Sequence, residues 1–215
     1  MTYLQLVNKV LTRLREETVS TVSQNTYSAL IGEFVNDAKR LVEDAWDWSA
    51  LRTTLTVTTS ADIFNYSLTG SGNRIELLDV INDTSNFFMK YRDSHWFNKT
   101  FLVDEPATGS PMYYGFNGVD VNGDTAVDLS PIPDAAYSLR FNCILRTPEL
   151  ENDADEVAIP TLPIIHTAVA LAVAERGEAG GQSAAELLSI AKGILNDAIS
   201  LDAGKHPEEL IYQAV

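Results

Sequence analysis

Between residues 26 and 49 the chain places apolar residues on a 3–4 rhythm: Tyr27, Leu30, Ile31, Phe34, Val35, Ala38, Leu41, Val42, Ala45 and Trp46. Glu33, Asn36, Asp37, Lys39, Arg40, Glu43, Asp44 and Asp47 fill the other side. The spacing predicts an amphipathic helix over Tyr27–Ser49, roughly 35 Å long at about 1.5 Å per residue. Trp46 continues the stripe, but Trp48 lies about 200° further round, so the helix is expected to end there. A shorter helix precedes it. Thr2–Gln5 reads as a capping box, and Leu4, Val7, Leu11 and Leu14 make a stripe reaching to about Glu16. Thr18–Ser23, β-branched and hydroxyl-rich, reads as a connector.

From Leu51 the period changes to two. Leu51, Thr53, Leu55, Val57 and Thr59 alternate with polar residues as a half-exposed strand, and Ile63, Phe64, Tyr66 and Leu68 are expected to be its hairpin partner across Ser60–Asp62. Arg74–Asn82 predicts another strand, with Phe87–Tyr91 as its return. Asp93–Val103 fits a short helix or a loop. Asn122-Gly123, between Val119–Val121 and Thr125–Leu129, is a strong hairpin signal, and Tyr137, Leu139, Phe141 and Cys143 alternate as a last strand. After an acidic, irregular stretch, Pro160 and Pro163 introduce a helix running to Glu175. Gly177–Gly181 breaks it, and a capping box at Ser183–Glu186 opens a final helix that Gly204 closes in the position of a C′ glycine.

Helices at both ends with strands between predict an α+β protein: a four-helix bundle of N- and C-terminal helices with an inserted antiparallel β domain. The expected boundaries are 1–50 plus 160–204 for the bundle, 51–147 for the β domain, 148–159 for an acidic connector and 205–215 for a tail. Leu4, Leu11, Phe34, Leu41, Val169, Leu187 and Ile194 are expected to share the bundle core.

Charge narrows the function classes. Lys and Arg total 15 against 30 Asp and Glu, a formal charge of −15, which repels nucleic acid. The single cysteine, Cys143, cannot form an internal disulfide and reads as a buried strand residue. No signal peptide or membrane span is expected. Asp120-Val-Asn122-Gly-Asp124 has the oxygen spacing of a calcium loop, but Thr125 stands where the glycine belongs and Pro131 where the final glutamate belongs, so a hairpin turn is the better account. His95, His166 and His206 are scattered, and no nucleophile elbow, phosphate loop or dinucleotide fingerprint occurs. Asp153 with Asp155 is unremarkable in so acidic a chain. No catalytic residue, metal ligand or cofactor is expected.

YLQLVNKVLTRLREETVST, then VNDAKRLVEDAWDWSALRTTLTVTT, SPIPDAAYSLRFNCILRTPEL and IPTLPIIHTAVALAVAERG together resemble the head–tail adaptor (tail tubular protein A-like) family of tailed bacteriophages. The resemblance covers most of the chain in order and least of it over Ile75–Phe101. It implies a structural virion protein made in the host cytoplasm. Its copies would form a ring, dodecameric in relatives, held between the portal protein and a tail or nozzle protein, with genomic DNA passing through unspecifically and no membrane involved. An acidic wall suits such a conduit, since it does not grip phosphate.

Two other classes stay open. A carbohydrate- or receptor-binding virion module would use the aromatic residues Phe87, Phe88, Tyr91, Trp96, Phe97, Tyr113, Tyr114 and Phe116. A small hydrolase would need carboxylates gathered in a cleft. The tail offers the one candidate binding segment: Leu210, Ile211, Tyr212 and Val215 are too apolar for a purely solvated end, and Pro207-Glu208-Glu209 would start a helical turn. It is expected to order against the portal or a neighbouring subunit, or else to fold back on its own bundle.

Overall fold

The computed structural model describes residues 1–102, 106–177 and 183–205. It is a mixed α+β structure in two compact units, one from Met1–Leu51 and the described chain from Thr147 onward, the other from Arg52–Arg146.

The first unit holds α1 (Tyr3–Arg13), α2 (Thr26–Asp44), α4 (Thr161–Arg176) and α5 (Ala184–Ala203). α1, α2 and α4 pack on one another, and α5 packs on α4. α1 opens on the expected capping box: Thr2 Oγ1 accepts the Gln5 N–H at 3.3 Å and Gln5 Oε1 accepts the Thr2 N–H at 3.1 Å. The next two amides, Tyr3 and Leu4, donate to the carbonyls of Asp155 and Asp153 at 2.9 and 3.2 Å, so the acidic stretch satisfies donors that a helix start leaves orphaned. α4 is apolar nearly all round, and Ile164, Ile165, Ala168, Val169 and Ala172 bury it on several sides. Gly32 lets α1 and α2 approach, because a Cβ there would collide with the Tyr3 hydroxyl and lie 2.9 Å from Val22 Cγ1.

α2 opens on Asn25, whose Oδ1 accepts the Ser28 N–H at 2.8 Å, and departs from its sequence reading by stopping at Asp44 instead of reaching Ser49. Trp46 and Trp48 both lie beyond it. Trp48 is buried and its Nε1–H donates to the Val42 carbonyl at 2.7 Å, filling an orphan acceptor of the last turn. The buried face is also rotated. Ser28, Ile31, Gly32, Val35, Asn36, Ala38, Lys39, Val42 and Glu43 are inside, roughly 90° round from the centre of the apolar stripe at about 3.6 residues per turn. Leu41, expected in the core, is therefore 57% exposed, and Phe34 is only half-buried. At the end of α5, Gly204 keeps a right-handed conformation (φ −64°), so it caps without the left-handed turn expected of it. Gly177, after α4, is the glycine that takes that turn (φ 61°).

The second unit packs two four-stranded sheets face to face. One runs β1 (Arg52–Thr58), β8 (Ser138–Leu145), β3 (Ile75–Asn82), β4 (Phe87–Phe88); the other runs β2 (Asn65–Ser67), β7 (Thr125–Ser130), β6 (Tyr113–Val119), β5 (Lys90–Tyr91). All pairs are antiparallel except β5 with β6. Leu139, Phe141 and Val80 from the first sheet meet Val127, Leu129 and Leu68 from the second in one core. The hairpin expected between β1 and β2 does not form. β1 pairs with β8, β2 pairs with β7, and the chain between them crosses from one sheet to the other. Alternation sends Leu55, Val57, Tyr66 and Leu68 into the same core either way, so it does not name a strand's partner. The segment expected as the return of β3 is likewise shared. Phe87–Phe88 pairs with β3, buried Met89 turns inward, and Lys90–Tyr91 joins the opposite sheet. The β6–β7 hairpin forms where Asn122-Gly123 predicts it. α3 (Ser94–Leu102) fills the segment that fitted helix or loop, and Phe97 seats it on Gly115 of β6, where a Cβ would lie 2.6 Å from the ring.

Candidate interaction surfaces

The helical unit buries a row of polar groups that its sequence pattern assigns to solvent. Asn36 on α2 holds Leu150 from both sides: its Nδ2–H donates to the Leu150 carbonyl at 3.1 Å and its Oδ1 accepts the Leu150 N–H at 2.9 Å. Asn8 on α1 treats Val19 the same way, at 2.9 and 2.8 Å. One turn beyond Asn36, Lys39 Nζ donates to the carbonyls of Thr147 and Pro148 at 3.1 and 2.8 Å and pairs with Glu43 Oε1 at 3.1 Å. The Thr147 hydroxyl donates to the same glutamate oxygen. The Lys39 and Glu43 side chains are 4% and 1% exposed, so this ion pair is inside the protein. Irregular connectors carry unpaired main-chain groups, and these side chains supply the partners that a sheet would otherwise provide.

A second knot closes the end of α5. Asp202, 4% exposed, accepts from the Ser49 hydroxyl at 2.6 Å, the Ser49 N–H at 2.9 Å, Trp46 Nε1–H at 3.2 Å and Lys205 Nζ at 2.8 Å. Burial alone would raise its pKa. The Lys205 and Ser49 hydrogen bonds overcome that and hold the carboxyl far below the ordinary carboxylate range. The knot holds Lys205, the last described residue.

In the β unit the loop after β5 and the start of α3 form an open groove of about 560 Å³ lined by Tyr91, Arg92, Asp93, His95, Trp96 and Lys99. The Arg92 guanidinium lies 5.5 Å from the Trp96 ring centre and 5.0 Å from that of Tyr113. Asp93 Oδ1 accepts the Trp96 N–H at 2.8 Å and so caps α3. Tyr91 is exposed beside Phe116, their ring centres 5.9 Å apart.

The other sequence candidates are spent on structure. Asp120 Oδ1 accepts the N–H groups of Asn122 and Asp124 at 2.8 and 3.0 Å, and these bonds lower its pKa, Asp124's first. Asp124 binds the N–H groups of Gly70 and Gly72 at 3.1 and 2.9 Å. Asp155 takes the amides of Asn152 and Glu151, both at 2.8 Å, while Asp153 Oδ1 takes that of Val22 at 2.9 Å. Cys143 is buried, which pushes its thiol pKa up. His166 sits half-buried on α4, and burial and then Arg13 lower its pKa. His206 and the proposed binding residues Leu210, Ile211, Tyr212 and Val215 lie outside the described residues. Among the described residues no group of three His, Cys, Asp or Glu could hold a metal ion, and no helix is long and apolar enough to cross a membrane.

Sequence reasoning passed over Asn36, Lys39, Glu43, Asp202 and the cationic run at 90–99. Asp202 had a visible signal, since it falls in phase with Ala191, Leu195 and Ala198 on an apolar helix face. Lys90, Arg92 and Lys99 had one too, as a local cationic run in an acidic chain. Asn36, Lys39 and Glu43 had none, for they look like any solvated helix face.

The helical unit thus commits polar side chains to holding connectors, while large apolar residues such as Leu41, Leu162 and Leu201 stand exposed. The family model for SU10 adaptor protein matches residues 1–207, and the chain belongs to that family, a family of phage head–tail adaptors. It is a structural component of the virion, and the family is not one of known enzymes. No curated protein matches the chain in sequence.

Proposed function

We propose that copies of this chain form a ring between the portal protein and a tail protein, in the manner of tail tubular proteins, and that genomic DNA passes through it during ejection. The observation that carries this reading is α5. It has 20 residues, among them Leu187, Leu188, Ile190, Ile194, Leu195, Ile199 and Leu201, yet only Ala191 and Asp202 are buried. Ile190, Ile194 and Leu201 stand on one flank, at i, i+4 and i+11, and Ile190 and Leu201 are 41% and 77% exposed. An isolated soluble protein rarely leaves so apolar a helix face in water, whereas a ring subunit covers it with a neighbour. In this reading the four-helix grouping of α1, α2, α4 and α5 is completed within the assembly. Residues 52–146 act as an inserted domain carrying further contacts, and 148–159 are the connector that returns to the helices. Leu210, Ile211, Tyr212 and Val215 dock on the portal or on a neighbouring subunit. Most of the excess negative charge lies in the helical unit, which supports a conduit wall that DNA slides along without binding.

Mass photometry and negative-stain imaging of the protein with and without portal test the ring. A discrete ring on the portal is expected, lost in Ile190→Lys/Leu201→Lys with the fold retained. A protein that stays monomeric beside intact portal would defeat the proposal. The glycan-binding alternative gains nothing from the geometry, because Trp96 is already faced by Phe97, Tyr113 and Arg92, which leaves little ring for a sugar to stack on.

A further inference from the structure

The groove of Tyr91, Arg92, Asp93, His95, Trp96 and Lys99 is a locally cationic, aromatic surface on an acidic protein. Lys90, Arg92 and Lys99 fall within residues 90–99, and the one acid among them, Asp93, turns an oxygen to the Trp96 amide at the start of α3. Arg92 is braced by two rings, so its position costs little further side-chain entropy when an anion binds. His95 and Lys99 stand one turn apart on α3, both exposed. The groove therefore asks for a short segment with carboxylates next to apolar side chains. The chain contains one beyond its described residues: His206-Pro-Glu-Glu-Leu-Ile-Tyr-Gln-Ala-Val215 pairs two adjacent acids with three consecutive apolar residues.

We infer that residues 206–215 of one copy dock in this groove on a neighbouring copy. Glu208 and Glu209 meet Lys99 and Arg92, and Leu210, Ile211 and Tyr212 cover the exposed Tyr91. The inference rests on the ring reading and names the acceptor for its tail. Charge complementarity favours the tail over nucleic acid, since a duplex would bring its extended negative charge against the rest of an acidic surface, while a short segment is judged within about 8–10 Å, the screening length. Reach sets a further condition. Tyr212 is seven residues from Lys205, which the Asp202 knot holds, so the neighbour's groove must lie within about 25 Å of that knot.

The test uses the full chain carrying Tyr212→p-benzoylphenylalanine, prepared as a mixture of ¹⁴N and ¹⁵N copies, with portal added and photolysed. Crosslinks of mixed isotope to peptides spanning 91–99 are expected. Their yield should fall at least tenfold in Lys99→Glu, an exposed substitution that spares the fold. It should return when Lys99→Glu is combined with Glu208→Lys/Glu209→Lys. Crosslinks confined to one isotope, crosslinks to the helical unit or to portal, or indifference to Lys99→Glu would each overturn the inference. So would anisotropy of a labelled DNA duplex showing binding that Lys99→Glu removes. Mass photometry of the same samples separates the two readings. A ring without the crosslink refutes only the docking, and portal without any ring refutes the assembly, whatever the crosslink shows.

Discussion

The helical unit and the β unit solve the same problem with opposite chemistry. In the β unit, alternation reports most of the burial along β8: Leu139, Phe141 and Cys143 are buried, while between them Arg140 bonds Asp83 at 2.7 Å and Asn142 bonds Asp79 at 2.6 Å, and Ile144 at the strand's end is buried out of phase. In the helical unit, periodicity misreports burial, because α2 must cover two connectors as well as two helices. Sheets satisfy their own main chain, so side chains are free to sort by polarity. Helices satisfy only themselves, and the chain that joins them needs partners from their flanks. That need draws Asn8, Asn36, Lys39 and Glu43 inward and pushes Leu41 out.

The largest effects test whether the buried polar row stabilises as strongly as an apolar core. Phe141→Ala, between two sheets, should cost about 3–5 kcal/mol by the cavity rule. Lys39→Ala should cost a similar amount, about 3–5 kcal/mol, because it strands the Glu43 carboxylate, whose Oε2 is already buried without a donor among the described residues. Chemical denaturation of both variants measures this. Lys39→Met/Glu43→Leu sharpens it, since removing both charges should cost less than Lys39→Ala alone. If the double variant is as unstable, the carbonyls of Thr147 and Pro148, and not the ion pair, are what Lys39 is there for.

Next comes Asp202, whose contribution to the helical unit should be lost in acid. Asp202→Asn removes hydrogen bonds to a charged acceptor and should cost about 1.5–3 kcal/mol at pH 7. The folded pKa is depressed below the unfolded value of about 3.9, so the unfolded state binds the proton first. This stability is therefore complete above about pH 4 and is lost as pH falls through the folded value. Thermal unfolding of wild type and Asp202→Asn should differ at pH 7 and converge below about pH 4. A difference that stays constant with pH would mean the carboxyl's charge is not what holds the knot.

How far the sequence could be read follows the same division. Helix starts were legible at Thr2 and Ser183, where a polar residue and its partner three positions on close a local circuit. The end of α2 was not, because Ala45 and Trp46 fit the apolar stripe as well as they fit the turn that follows the helix. Strand existence was legible through β3, β7 and β8, as was the β6–β7 hairpin around Asn122-Gly123. The pairing of β1 with β8 spans most of the β unit, and local pattern carries no information about such a partner. The Asp202 knot had a periodic signal. The groove at Tyr91–Lys99 showed only its charges, since its shape depends on β5 changing sheets.

Close approach gives a smaller contrast. Gly115→Ala should cost about 1–3 kcal/mol, because its Cβ would stand 2.7 Å from the Arg92 carbonyl oxygen, which is main chain and cannot swing away. Gly32→Ala meets the hydroxyl of Tyr3 and a methyl of Val22, both ends of side chains, and should cost less. Tyr3→Phe should recover part of the Gly32→Ala loss and none of the Gly115→Ala loss. Equal recovery in both would mean that the strain is not local.

The smallest expected effect is none, and it concerns the stretch most easily mistaken for a site. Asp120, Asn122 and Asp124 have a calcium loop's spacing, but three of the carboxylate oxygens already accept main-chain N–H groups. One oxygen of Asp120 holds the Asn122 and Asp124 amides, and the two oxygens of Asp124 hold Gly70 and Gly72. Asp124's bonds tie the β6–β7 turn to the loop after β2, so a cation drawing on these oxygens would compete with them. Millimolar calcium should thus leave the melting temperature where magnesium or a chelator leaves it. Asp124→Asn should lower stability by about 0.5–1.5 kcal/mol, through loss of its loop contacts, by the same amount in all three buffers. A melting temperature that rises with calcium and not with magnesium, and that loses the rise in Asp124→Asn, would show binding of the ion to the folded state and replace the hairpin reading with a metal site.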